Sequence, residues 1–203
     1  MAPRVILCAL AALLFVAVRP FAAPASPDGS ALGGALDAPI RVEVFSDFQC
    51  PACRSLYMET IRPVLRDYSS KDKVCVIYYD FPLQMHQYAR VAARWAQAAR
   101  SLGRAQWLAV VDALYTQQAK WSENGSIEAT VAGVITPDDL QKLKKGLNDP
   151  AIERQIEREL TLGNQREVKS TPTFFVTAIG REQRVVGGLP YPVLKDFFDR
   201  IVK

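Results

Sequence analysis

A chain of 203 residues that is 49% hydrophobic can bury a substantial core, as one domain or as one domain carrying an insertion. Its formal net charge of +4 is too balanced to argue for nucleic acid, and no basic block interleaved with aromatics appears. No segment beyond the N-terminus is long and apolar enough to read as a membrane span.

In chain order, residues 1–25 stand apart. Arg4 gives a short basic start, residues 5–18 an apolar run, and Ala23-Pro24-Ala25 puts small residues where a signal peptidase reads. Arg19-Pro20 ends the run before the about 20 residues a bilayer takes, so the segment is predicted to be a cleaved export signal and not an anchor. Cys8 lies inside that run with no lipidation box around it. Cleavage would take Arg4 and Arg19 and leave a charge of about +2. The expected location is periplasmic or otherwise extracytoplasmic.

Residues 26–38, rich in Ser, Gly, Ala and Pro, read as a flexible leader with at most a short edge strand. Residues 40–45 (I-R-V-E-V-F) alternate and predict a strand. A helix should begin at Cys50-Pro51, with proline at its first position, and run to about Tyr68 with a kink at Pro63. The apolar run 74–79 (V-C-V-I-Y-Y) predicts a strand buried on both faces. From about 87 to 166 the period is helical, with start signals at Thr136-Pro137-Asp138 and Asp149-Pro150. Strands follow at 173–177 and 184–186, a turn at Gly187-Gly188, and an amphipathic helix over 190–202. The predicted class is α/β. The order strand, helix, strand, then two strands and a helix after a helical block is the thioredoxin arrangement interrupted by an insertion, so residues 39–84 and 168–203 are expected to form one thioredoxin-like domain and 85–167 an inserted helical domain.

The chemistry centres on Cys50 and Cys53. Their bridge closes too small a loop to stabilise the fold much by restricting the unfolded chain, which suggests redox work instead. Zinc uses the same spacing but needs two more ligands, and only Cys75 and His86 remain after the signal, so no metal is expected. At a helix start, free N–H groups and the helix dipole stabilise a thiolate on Cys50. Cys53, one turn inside, becomes the sheltered resolving thiol. Thr171-Pro172 is the second signal: a proline leading into a β run donates no ladder hydrogen bond, which a cis peptide would reconcile and an ordinary trans loop would not need to.

The stretches F-S-D-F-Q-C-P-A-C (45–53), Y-D-F-P-L-Q-M-H (79–86), S-T-P-T-F-F-V (170–176) and G-G-L-P-Y-P-V-L (187–194) resemble the DsbA-like family of the thioredoxin superfamily. The resemblance covers nearly everything from about Asp37. It implies a thioredoxin fold with an inserted helical domain and a protein dithiol oxidase acting on exported polypeptides. It further implies a redox-active disulfide as the sole cofactor, and recycling by a membrane quinone-linked thiol oxidase. Pro172 would be cis and face Cys50, with Thr171 offering backbone hydrogen bonds to a substrate strand. The chain is expected to act as a monomer without nucleic acid. Alternatives are a disulfide reductase or isomerase, and a peptide-binding module with vestigial cysteines.

This chain departs from the family twice. Pro51-Ala52 separates the cysteines where well-known members carry a histidine, so Ala52 offers the Cys50 thiolate no charged partner. Val44 stands where relatives have a buried acid, and Glu43 should face the other side of the sheet; Asp47 or Asp80 are the possible substitutes. His86 is read as a helix start or loop cap, Cys75 as core, and residues 88–121 mainly as core with some lining a substrate groove. Asn124-Gly125-Ser126 reads as a turn.

Overall fold

The computed structural model of the chain describes residues 31–203, so the predicted export signal and the first part of the leader lie outside it. The described residues form a five-stranded sheet in the order β1-β3-β2-β4-β5. The strands are β1 (Ala31–Gly33), β2 (Ile40–Ser46), β3 (Val74–Asp80), β4 (Thr173–Ala178) and β5 (Arg181–Val186). β2 runs parallel to β3 and antiparallel to β4, while β1 and β5 pair antiparallel at the two edges. This is the thioredoxin-like α/β fold, with its helical block entering after β3 and leaving before β4.

The short edge strand that the leader allows is present as β1. Ala31 and Leu32 are buried, because pairing with β3 satisfies their backbone while Leu32 fills the core under it.

The helix after Cys50 is α1 (Pro51–Leu56), a π-helical turn at Tyr57–Ile61, and α2 (Arg62–Asp67). The irregularity therefore precedes Pro63 instead of sitting at it. Arg62 N donates to Tyr57 O, five residues back. The extra residue in that turn lets the chain meet a proline that has no N–H to offer the preceding turn. Thr60 Oγ1, in the same turn, donates to Leu189 O at 2.7 Å, tying the helix to the segment before α9 (Tyr191–Ile201).

The helical block consists of α3 (Ala89–Ser101), α4 (Arg104–Thr116), α5 (Gln118–Trp121), α6 (Ile127–Ala132), α7 (Pro137–Gly146) and α8 (Pro150–Gln165). Both predicted caps are present: Thr136 Oγ1 accepts from Asp139 N and Asp149 Oδ1 from Ala151 N. Asn124-Gly125 is a turn, with Gly125 at φ +75°. Trp107, Tyr115 and Trp121 are fully buried.

α8 has two jobs. It packs on α3, and its C-terminal half covers one face of the sheet. A Cβ at Gly163 would lie 2.5 Å from the Phe81 ring and 3.1 Å from that of Phe45, so only glycine permits this approach. The sheet thus separates two apolar layers. One holds Val42, Val44, Val76, Tyr78, Cys53, α4 and α9; the other holds Phe45, Cys75, Ile77, Tyr79, Phe81 and Phe175 under α8.

Candidate active site

β2 is the central strand, and its last residue, Ser46, runs into the turn that presents Cys50. Cys50 N donates to Asp47 O at 3.2 Å. Cys50 itself is extended (φ −73°, ψ 122°) and Pro51 opens the helix, where a missing N–H costs no hydrogen bond. The insertion holds this turn from outside. Gln118 Nε2 donates to Phe48 O at 2.6 Å and to Cys50 O at 3.0 Å, and Gln49 Nε2 donates to Ser122 O at 2.9 Å.

Cys50 and Cys53 are free thiols here, and they differ as the sequence predicts. Cys50 keeps 7% of its surface exposed and Cys53 none, which decides which sulfur a substrate reaches. The Cys53 thiol hydrogen bond, assisted by the N–H groups of Cys53 and Ala52 and by Thr171, lowers the Cys50 pKa to about 5 against the opposing effect of burial. Burial first, and then the neighbouring Cys50 sulfur, push Cys53 far above an ordinary thiol. Cys75 is raised to about 11 by burial.

Thr171-Pro172 is cis. Thr171 O lies 3.5 Å from Cys50 Sγ, where it accepts from the thiol, so the cis bond sits beside Cys50 although 121 residues separate them in sequence. Pro172 O accepts from Gly187 N at 2.8 Å, which brings the Gly187-Gly188 turn to the same end of the sheet. A groove lined by Ala52, Leu56, Gly188, Leu189 and Pro190 runs along the start of the helix.

The acids sort themselves. Glu43 lies on the far face, bonded to Tyr79 and paired with Arg41 and Arg166. Asp80 turns into a buried cluster where its N–H donates to Glu159 Oε2 at 2.6 Å and Gln97 Nε2 donates to its Oδ2 at 2.7 Å. Burial and the Glu159 carboxylate hold Asp80 well above the ordinary carboxyl range. Asp47 comes to the cysteines instead. Its N–H donates to Cys53 Sγ at 3.4 Å, while its carboxylate accepts from Gln49 N and Leu83 N and pairs with His86 Nδ1 at 2.8 Å. His86 is therefore a loop fastener, as read from sequence.

Three residues escaped the sequence reading. Ser46 Oγ and Tyr115 OH are 2.7 Å apart, and Tyr115 OH and Tyr78 OH 2.6 Å, all buried beside Cys53. Strand alternation puts Tyr78 on the cysteine face, but nothing local links it to Tyr115. Among the described residues, no three His, Cys, Asp or Glu side chains gather to hold a metal ion.

The arrangement can exchange disulfides: a sulfur that is the less buried of the pair and whose pKa is lowered, a sheltered partner, and an edge of backbone beside them. The thioredoxin family model matches residues 26–183. The probable disulfide bond formation protein D of Bacillus anthracis is 24% identical over 69% of this chain and 66% of its own length. A Na(+)/H(+) antiporter, NhaA 3 of Salinispora tropica, is 30% identical over 75% of this chain, which corresponds to 22% of the antiporter. The chain thus spans about two thirds of the first curated relative and about a fifth of the second. The crystal structure of Wolbachia pipientis alpha-DsbA1 superposes with a TM-score of 0.72 at 16% identity, over 87% of this chain and 92% of that one.

Proposed function

The chain belongs to the thioredoxin family and has the DsbA form of its fold, and from that premise we propose that it is an exported thiol–disulfide oxidoreductase that oxidises dithiols in secreted polypeptides. In this reading a substrate thiolate attacks Cys50 Sγ of the Cys50–Cys53 disulfide, and the electron pair of the broken bond leaves on Cys53, which takes up a proton. A second substrate thiolate then attacks the substrate sulfur of the mixed disulfide, and Cys50 leaves as thiolate. The substrate gains a disulfide and the enzyme two electrons, which a membrane quinone-linked thiol oxidase would remove. Thr171 and Pro172 would flank the bound segment, with Thr171 pairing to its backbone as an added strand does.

The observation that carries this reading is the Cys50–Cys53 pair at a helix start beside the cis Thr171-Pro172 bond, a setting that lowers the Cys50 pKa to about 5. A stable thiolate is a good leaving group and favours the reduced enzyme, which makes the disulfide a strong donor. The test is the equilibrium potential against a glutathione buffer. It should lie above thioredoxin's about −270 mV and fall by about 30 mV per pH unit between about pH 5 and 9, because reduction then binds one proton per two electrons. A potential at or below that of thioredoxin, or a slope near 59 mV per pH unit, would point to a reductase with an ordinary thiol.

The exposed Ala52 is where the potential should be tunable. Ala52→His places a hydrogen-bonding, partly cationic ring beside the Cys50 thiolate, stabilises the reduced form and should raise the potential. Each 30 mV corresponds to about 1.4 kcal/mol. An unchanged or lower potential in the same glutathione titration would show that the intervening dipeptide is not the control.

A further inference from the structure

Disulfide exchange at Cys50–Cys53, the activity on which this inference rests, places negative charge on Cys53 that neither resting form carries. In the disulfide that sulfur is neutral, and in the dithiol it holds its proton, because burial and the Cys50 thiolate keep it protonated. Only while the bond is breaking or forming does Cys53 become an anion, in a site with 0% exposure. An uncompensated buried anion is expensive, and the Asp47 carboxylate is already engaged by Gln49, Leu83 and His86.

Donors are nevertheless available. Asp47 N–H points at the sulfur from 3.4 Å, and the Ser46 side chain, beside the same sulfur, favours its anion. Ser46 Oγ is 2.7 Å from Tyr115 OH, which is 2.6 Å from Tyr78 OH. Three hydroxyls in a row hold three protons, and two suffice for the two bonds between them. The third is free to lie at either end. We propose that the Ser46–Tyr115–Tyr78 hydroxyl chain is a switchable donor array for Cys53, turning all its O–H bonds toward the sulfur as the thiolate forms and away as it disappears. Tyr78 then donates to Tyr115, Tyr115 to Ser46, and Ser46 to Cys53, so the sulfur feels three aligned dipoles in a dry site. No proton leaves the chain. The proton that finally quenches Cys53 comes from solvent or from substrate.

Ser46, Tyr115 and Tyr78 are positioning residues, and the same contacts also fasten the insertion to the sheet, since Tyr115 sits on α4. The two roles separate by kinetics. Losing a donor that acts only on a transient anion slows reduction and reoxidation by the same factor and leaves the equilibrium untouched; losing a structural fastener has no such signature. Ser46→Ala, which removes the last donor, should slow both directions of exchange with glutathione about tenfold, the effect of one hydrogen bond to a charged acceptor. Tyr115→Phe and Tyr78→Phe, which keep ring packing, should slow both about two- to threefold by weakening the Ser46 donor from behind. Ser46→Thr should restore the rate. The potential should match the parent in every variant.

Stopped-flow reduction and reoxidation with glutathione, paired with the equilibrium titration, read all of this. Unchanged rates in the two Phe variants and Ser46→Ala would overturn the donor chain, as would a change confined to one direction with a shifted potential. Should Ser46→Ala not fold, the near-isosteric Tyr115→Phe decides alone. A parent protein that exchanges with nothing would instead sink the oxidoreductase reading itself, so the two failures are distinguishable.

Discussion

Cys50→Ser should abolish exchange with glutathione and with protein dithiols, whereas Cys53→Ser should remain reactive at pH 6 and accumulate mixed disulfides. A serine hydroxyl at position 50 cannot form the disulfide at all. Magnitudes decide how selective labelling of the reduced parent should be. With a pKa near 5, about nine tenths of Cys50 is thiolate at pH 6, against about 0.3% for a free thiol of pKa about 8.5. Part of that advantage is lost because nucleophilicity falls with pKa at a Brønsted slope of about 0.4–0.5. The net gain is about an order of magnitude over an ordinary thiol. Cys53 and Cys75 are shifted the opposite way and are buried, so iodoacetamide followed by peptide mass mapping should find the label on Cys50. Label chiefly on Cys53 would reverse the roles.

The reduced protein should gain stability over the oxidised protein as pH rises from about 5 to about 9. The sign follows from proton counting. The folded Cys50 pKa is depressed to about 5 from 9.0, so between those values the unfolded chain binds a proton that the folded one lacks. This contribution is complete above the unfolded pKa and is lost as pH falls through the folded pKa. Its slope is at most about 1.4 kcal/mol per pH unit, less whatever solvent contact at the helix start screens. Cys53 is shifted upward and acts oppositely: its contribution is present below about pH 9 and is lost above it, so the difference should peak near pH 9. Asp80, Glu159 and Cys75 are common to both forms and cancel. Urea midpoints of the two forms at pH 5, 7 and 9 measure the difference, and a flat profile would show an unperturbed Cys50 in the fold.

The sequence was most informative where one residue type admits one explanation. Pro51 marked the helix start and the unbroken run through β3 marked a strand covered on both sides, whereas the residues of Thr171-Pro172 left a trans loop open and only the family resemblance implied a cis bond facing Cys50. It was least informative where contact depends on packing over distance. Ser46 and Tyr115 lie 69 positions apart and Tyr78 and Tyr115 37 apart; no local pattern records such meetings. The choice between Asp47 and Asp80 was likewise open until the partners were visible, because Glu159 and Gln97 claim Asp80 from helices of the insertion. Pro63 suggested a kink, but the chain resolves the missing donor one turn earlier, through i+5 bonding that propensity does not announce.

The two apolar layers have a consequence for how this chain forms its own bond. The three thiols among the described residues allow three pairings, and position parity rules out two of them. Val74, Val76 and Tyr78 point toward the cysteine pair, whereas Cys75, Ile77 and Tyr79 point through the strand to the other side. The seven-residue register between β2 and β3 fixes that parity, since a slip of one residue would turn Cys75 over beside Cys53. The folded sheet therefore acts as a partition wall, and the third thiol is kept out of a self-inflicted mispairing by being an odd-numbered neighbour in an even-numbered row.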